Sequence, residues 1–221
     1  MMKQKIKNWC ANSTFISGLY GIWVQYFRTR RSKLGHIDKT SYFRRPILIK
    51  GPQNVFMYEH TSIYAGAQIQ STRAKFIMKK YSGAAEGLKV VTGNHAFVVG
   101  QWQRTISNDQ KQDYMDKDVV VEEDAILYSN VTLLAGVTVG RGAVVGSASV
   151  VRNSIPPYAV VMGNPARIVG FRFSPEQIIE HEKQLYPEEE RLTLEQVERN
   201  YQKYFSKSAG AIAKYLKNNC Y

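Results

Sequence analysis

Four histidines are the side chains best suited to proton chemistry near neutral pH, since an unperturbed imidazole titrates near pKa ~6.5. They are His36, His60, His95 and His181. His60 follows Glu59, His181 lies between Glu180 and Glu182, and His36 stands where patterned sequence begins. For these three a surface or structural role is the plain reading. His95 closes the tetrapeptide Thr92-Gly93-Asn94-His95, directly before a long polar and aromatic segment. None of the four has neighbours at metal-ligand spacing, so no metal is expected. Cys10 and Cys220 have neither disulfide-framework nor zinc-site spacing and suit a reducing compartment.

The chain has 221 residues, 30 Lys and Arg against 18 Asp and Glu, and a formal charge of +12. With 44% hydrophobic and 22% charged residues it can build a sizeable core, which excludes wholesale disorder. The charge first suggests nucleic acid, but it is local. Residues 1–33 hold seven basic residues and no acid, whereas residues 119–173 hold four against three. No basic stripe interleaved with aromatics runs along the chain, so no nucleic-acid partner is expected. No run of about 18 apolar residues exists to span a membrane. The stretch from Phe15 to Val24 is short and carries two glycines. Lys3, Lys5 and Lys7 resemble the start of a signal peptide, yet no Ala-x-Ala-like site follows, and a retained, cytoplasmic chain is the expectation.

The elements that must position these residues are set by a period of six. Val121, Leu127, Leu133, Val139, Val145 and Val151 recur at that interval. Four residues after each of the first five stands a small or β-branched residue: Ala125, Val131, Val137, Ala143 and Ser149. Neither a helix nor a hairpin meander has this period. A coil of short flat sides does, with every sixth residue pointing inward and stacking on its counterpart one coil along, about 4.8 Å away. Met57, Ile63 and Ile69 begin the pattern, and Met78, Ala84 and Val90 continue it after a shift in phase. The period disappears between Asn94 and Asp118, which marks an excursion loop over residues 96–118.

The ends read as helices. Residues 15–27 place Phe15, Ile16, Leu19, Tyr20, Ile22, Trp23, Tyr26 and Phe27 at near-helical spacing. Ser174-Pro175-Glu176-Gln177 and Thr193-Leu194-Glu195-Gln196 are helix-start signals, the second followed by Val197, Tyr201, Tyr204 and Phe205 on one face. Three segments result: a basic N-terminal helical segment (1–33), a repeat domain (34–173) and a C-terminal helical extension (174–221).

Residues 119–170, with Pro156-Pro157 and the closing Gly163-Asn164-Pro165-Ala166-Arg167, resemble the hexapeptide-repeat acyltransferases, and within them the sugar O-acetyltransferase branch. The resemblance implies a mainly β fold, a left-handed parallel β-helix, and a homotrimer with active sites between subunits. It implies acetyl-CoA as co-substrate and His95 as the general base that takes a proton from a sugar hydroxyl. Asn94 would support that imidazole. By position, Gly146, Ser147, Ala148, Pro165 and Ala166 would meet the pantetheine arm, while Arg152 and Arg167 would meet the phosphates. Gln101, Trp102 and Arg104 in the excursion would shape the acceptor pocket. The family's Trp-Ile-Gly reads Ile126-Leu127-Tyr128 here, so Trp102 or Tyr128 would have to supply the missing aromatic wall. The acid that often precedes the family histidine is replaced by Gly93-Asn94.

The acceptor expected is a saccharide of a surface polysaccharide or its precursor. Two other readings stay open: N-acylation of an amino sugar or xenobiotic amine, and a non-catalytic β-helix scaffold. The N-terminal segment likewise has two readings, peripheral contact with the inner face of a membrane or packing over the open end of the coil.

Overall fold

The six-residue period folds into a three-sided coil. A computed structural model describes residues 13–204, apart from the side chains of Asn108 and Asp113; Lys3, Lys5, Lys7, Cys10, Phe205 and Cys220 lie outside the described residues. Face A stacks β1 (His36–Ile37), β4 (Val55–Met57), β7 (Phe76–Met78), β10 (Val119–Val121) and β13 (Thr138–Val139). Face B stacks β2 (Tyr42–Phe43), β5 (Ser62–Ile63), β8 (Gly83–Ala84), β11 (Ile126–Leu127), β14 (Val144–Val145) and β16 (Ala159–Met162), to which β17 (Arg167–Phe171) adds an antiparallel edge. Face C stacks β3 (Ile47–Lys50), β6 (Ala67–Gln70), β9 (Lys89–Val91), β12 (Thr132–Leu133) and β15 (Val150–Val151). All other pairings are parallel, and the chain visits the faces in the order A, B, C through about six turns.

The periodic residues are the core. Val121 pairs with Val139, Leu127 with Val145 and Leu133 with Val151, and all six are buried. The residues four places on fill the inside of the corners, where Ala125, Val131, Val137, Ala143 and Ser149 are buried too. Met57, Ile63, Ile69, Met78, Ala84 and Val90 extend the same column. The shift in phase between the two blocks is a wider corner after β6. There Ser71 donates its hydroxyl to Ala74 O at 2.6 Å, and its own carbonyl accepts from Asn54 Nδ2 at 2.8 Å.

At the N-terminal side, α1 (Thr14–Trp23) starts at Ser13 and runs on through a wider turn over Val24–Arg28. It does not plug the coil, since none of its residues is buried. The open end is closed instead by Leu34, which joins the core, and by the turn before it. Arg31 holds that turn by donating to the carbonyls of Ser41 and Asp38 at 2.5 and 2.8 Å. Arg45 donates to Thr29 O at 2.8 Å.

At the other end, α2 (Pro175–Leu185) begins with the full capping box of Ser174 and Gln177. The reciprocal bonds of Thr193 and Gln196 start α3 (Leu194–Tyr204) in the same way. The pair docks on the last coils through buried Glu182. This carboxylate accepts from Tyr158 at 2.6 Å, from Arg141 at 2.9 Å and from the Leu192 N–H at 3.1 Å. Among the described residues no helix is long and apolar enough to cross a membrane.

Candidate functional site

The edge between faces C and A carries the features that can do chemistry. The chain leaves the coil after β9 at Thr92, whose buried hydroxyl donates to Gln70 O and Ala74 O at 3.2 and 3.3 Å. The excursion returns along the same line, with Lys117 N–H bonded to Thr92 O at 2.9 Å and Gly93 bridged antiparallel to Asp116. Asp118 then accepts from Lys75 N–H at 2.7 Å as face A resumes. Glycine is required where the two strands of this neck cross. A Cβ on Gly93 would lie 1.9 Å from Asp116 Oδ1.

This neck presents His95 at the mouth of a cavity of about 460 Å³. Its walls include Asn94, Arg73, Gln103, Lys111 and Asp116. Asn94 is fixed through its backbone, which donates to Met115 O at 3.2 Å. Asp116 is nearly buried, with its side chain 9% exposed, and sits 2.6 Å from Lys111 Nζ and 3.7 Å from Arg73. Among the described residues it is the only carboxylate lining the cavity, and Lys111 and Arg73 are directed at it.

A second cavity, of about 600 Å³, lies over the end of the coil and reaches the same edge at Arg152. Arg152, Ala166 and Arg167 line it, joined by Lys203 and Tyr204 from α3 and Ile155 from the corner. Among the described residues its lining holds three cations and no acid, which gives it a positive potential. Arg152 follows β15, two strands beyond the β9 that delivers His95. At about 4.8 Å per strand the two positions are about 10 Å apart along the coil.

The remaining residues of interest are elsewhere. Gly146, Ser147 and Ala148 form the corner between faces B and C, so the chain does not bring them to His95. Gly146 is needed there for close stacking, since a Cβ would come 2.9 Å from Met162 Cγ. Pro165 lies at the corner above, beside Ala166, whose N–H bonds Val150 O at 2.9 Å. Gln101, Trp102 and Arg104 are exposed, with Trp102 84% accessible. The excursion residues that reach the His95 cavity are Ala96, Gln103, Ile106, Ser107, Lys111 and Asp116. Ile126 and Tyr128 belong to face B, across the coil from this edge. Neither Trp102 nor Tyr128 walls the cavity within one chain.

The other histidines pack against aromatic rings. His36 meets Tyr58 at 5.0 Å, His60 stacks on Tyr81 at 4.8 Å, and His181 lies 5.2 Å from Phe173 between α2 and the coil. Among the described residues no group of three His, Cys, Asp or Glu is placed to hold a metal ion.

Asp116, Lys111 and Arg73 are the site residues that reading the sequence did not find. Asp116 meets Gly93 only when both ends of the excursion are laid side by side, and no spacing along the chain signals that contact.

No family model and no curated protein matches the chain. Solved structures do. A hexapeptide-repeat acetyltransferase of Vibrio cholerae O1 biovar eltor, complexed with acetyl coenzyme A, is 21% identical with a TM-score of 0.57, covering 74% of this chain and 92% of its own. A galactoside acetyltransferase in complex with coenzyme A is 14% identical with a TM-score of 0.54, covering 74% of each chain. A maltose O-acetyltransferase from Clostridium difficile 630 is 20% identical with a TM-score of 0.52, covering 65% and 73%. At these identities the likeness is one of architecture, and it agrees with the three-sided coil and its helical ends: the chain has the fold of the hexapeptide-repeat acetyltransferases.

Proposed function

We propose that the protein is an acyltransferase that moves an acetyl group from acetyl-CoA to a hydroxyl of a saccharide, with His95 as general base. The observation that carries this reading is a cavity lined by His95 and, two strands on along the same edge, Arg152, which shares a cavity over the end of the coil with Arg167 and Lys203. The basic cavity fits the phosphates of CoA. From there an extended pantetheine arm can follow the edge toward His95 and deliver its thioester.

The chemistry then needs one proton shuttle. A hydroxyl is a poor nucleophile, and neutral His95 takes its proton as the oxygen attacks the thioester carbonyl carbon. The new C–O bond forms, the C–S bond breaks, and the imidazolium returns the proton to the departing thiolate. Asp116 favours a hydroxyl acceptor over an amine. Its charge is committed to Lys111 and Arg73, so among the described residues of this cavity a substrate ammonium would find no free counter-ion.

The assembly in this reading is a homotrimer whose subunits complete one another's sites. Trp102, Phe97 and Val99 on the excursion are 84%, 81% and 103% exposed, which supports a partner surface beyond the single chain. Gly146, Ser147 and Ala148 on the B–C edge would then serve the neighbouring subunit's thioester.

Thermal unfolding with added CoA tests the reading. CoA at a hundred times its dissociation constant should stabilise the protein by about 2.7 kcal/mol. Replacing Arg152 and Arg167 by alanine should remove that gain. A wild-type protein that CoA does not stabilise is the result a scaffold without cofactor would give.

A further inference from the structure

Helix α1 and the turn after it are amphipathic, yet the arrangement is inverted. Phe15, Ile16, Leu19, Tyr20, Ile22, Trp23, Tyr26 and Phe27 fall, at helical spacing, within an arc of roughly 160°. Seven of these eight are large exposed hydrophobics, from Tyr26 at 41% to Phe15 at 75%. The opposite side carries Ser17, Gly18, Gly21, Val24 and Gln25, and the segment reaches the coil through the turn at its end, where Gln25 lines a small cavity with Pro46, Ile47, Leu48 and Gln68. Within the helix and this turn, Ile16 is the one member of the apolar arc that is partly covered, as Gly21 and Val24 are on the other side. The apolar arc therefore faces away from the protein, where a helix serving only its own fold would bury it.

The charge around this arc identifies what can cover it. Residues 13–33 contain four basic residues and no acid. Arg28, Arg30 and Lys33 follow the aromatic stretch directly and are exposed, whereas Arg31 is used internally to hold the first coil. A second copy of the same segment would bring cation against cation, which opposes pairing through this face. An anionic lipid surface supplies both missing complements: an acyl boundary for the Trp, Tyr, Phe and Leu side chains, and negative headgroups for the arginines.

We infer that α1 and its basic flank form an interfacial anchor, lying in the headgroup layer of an anionic bilayer. The helix would rest in the plane of the surface, because it is too short to cross. Arg31 and Arg45 fasten the segment to the first coil, so the repeat domain would be held close beneath the membrane.

Flotation of the full chain with vesicles is the test. Vesicles of equal phosphatidylglycerol and phosphatidylcholine should carry the protein, and phosphatidylcholine alone should carry it at least about tenfold less. The variant Leu19→Ser/Trp23→Ser/Phe27→Ser should lose binding by about tenfold or more, and Arg28→Gln/Arg30→Gln/Lys33→Gln should lose it similarly. All six positions are exposed, so both variants should keep the fold, and a circular dichroism melt checks this. Failure of the wild type to float with anionic vesicles, or unchanged flotation of the serine variant, overturns the anchor. Self-association of the wild type that the serine variant abolishes, without vesicle binding, would assign the face to a second copy instead.

Discussion

Gly93 is where a single methyl group should decide whether the site assembles. The neck of the excursion closes by setting Gly93 against Asp116, and an alanine Cβ at this position would lie 1.9 Å from the Asp116 carboxylate. Gly93→Ala must therefore displace Asp116 from Lys111 and move His95, two residues on. We expect kcat/KM for acetyl transfer to fall by about 100-fold, the cost of misplacing a reacting group by about an ångström. Stability should fall by about 1–3 kcal/mol, because a nearly buried carboxylate loses its partner. Steady-state kinetics and urea unfolding check this, and wild-type turnover in the variant would show that the neck does not position the histidine. At this scale the sequence was partly legible. His95 stood out by its place before the excursion, but Asp116, Lys111 and Arg73 did not, because the contacts that gather them join separate segments. Gln101, Trp102 and Arg104 were expected at the acceptor pocket. Their exposed placement, with Gln103 turned into the cavity, follows from the short helical turn at Gln103–Thr105.

The C-terminal helices are held by one buried carboxylate. Glu182 accepts three hydrogen bonds and pairs with Arg141, which also lies 3.9 Å from the Tyr186 ring. Glu182→Ala would strip the Tyr158 hydroxyl and the Leu192 N–H of their acceptor and leave Arg141 only Glu123, 3.5 Å away, a loss of about 1–3 kcal/mol. The affinity for CoA should weaken with it, since α3 brings Lys203 to the basic cavity. Urea denaturation and CoA titration measure the two effects, and a variant as stable as wild type would exclude the latch. The same contact gives a pH dependence. Burial pushes the Tyr186 phenol from its ordinary value of 10.0 up to about 12, and burial together with the bond to Glu182 raises Tyr158 as well. Folding thus favours the neutral phenols, so the contribution of Tyr186 is complete below pH 10 and lost as pH rises through its folded value near 12. The urea midpoint should fall across that interval, less steeply in Tyr186→Phe. Equal slopes would contradict the assignment. The helices themselves were readable from their caps, because Ser174 and Thr193 act locally. Glu182 was not, since its partners come from the coil.

Across the whole molecule the strongest signal was the period of six, because stacking one coil on the next repeats the same demand at every step. Val121 through Val151 occupy equivalent places for that reason, and the corner residues follow. What the repeat does not encode is the relation between edges. Gly146, Ser147 and Ala148 and the His95 neck fall on different edges of one coil, so in the proposed function they would serve one site only across a subunit boundary. Overall charge is uneven too: more than half of the basic excess lies in residues 1–33, the segment that carries α1. The most direct test of the account is release of free CoA from acetyl-CoA in the presence of a panel of saccharides, for wild type and His95→Ala. The account predicts acceptor-dependent release by the wild type and a loss of at least about 100-fold in the variant, with CoA affinity unchanged. Turnover by His95→Ala at the wild-type rate would contradict it.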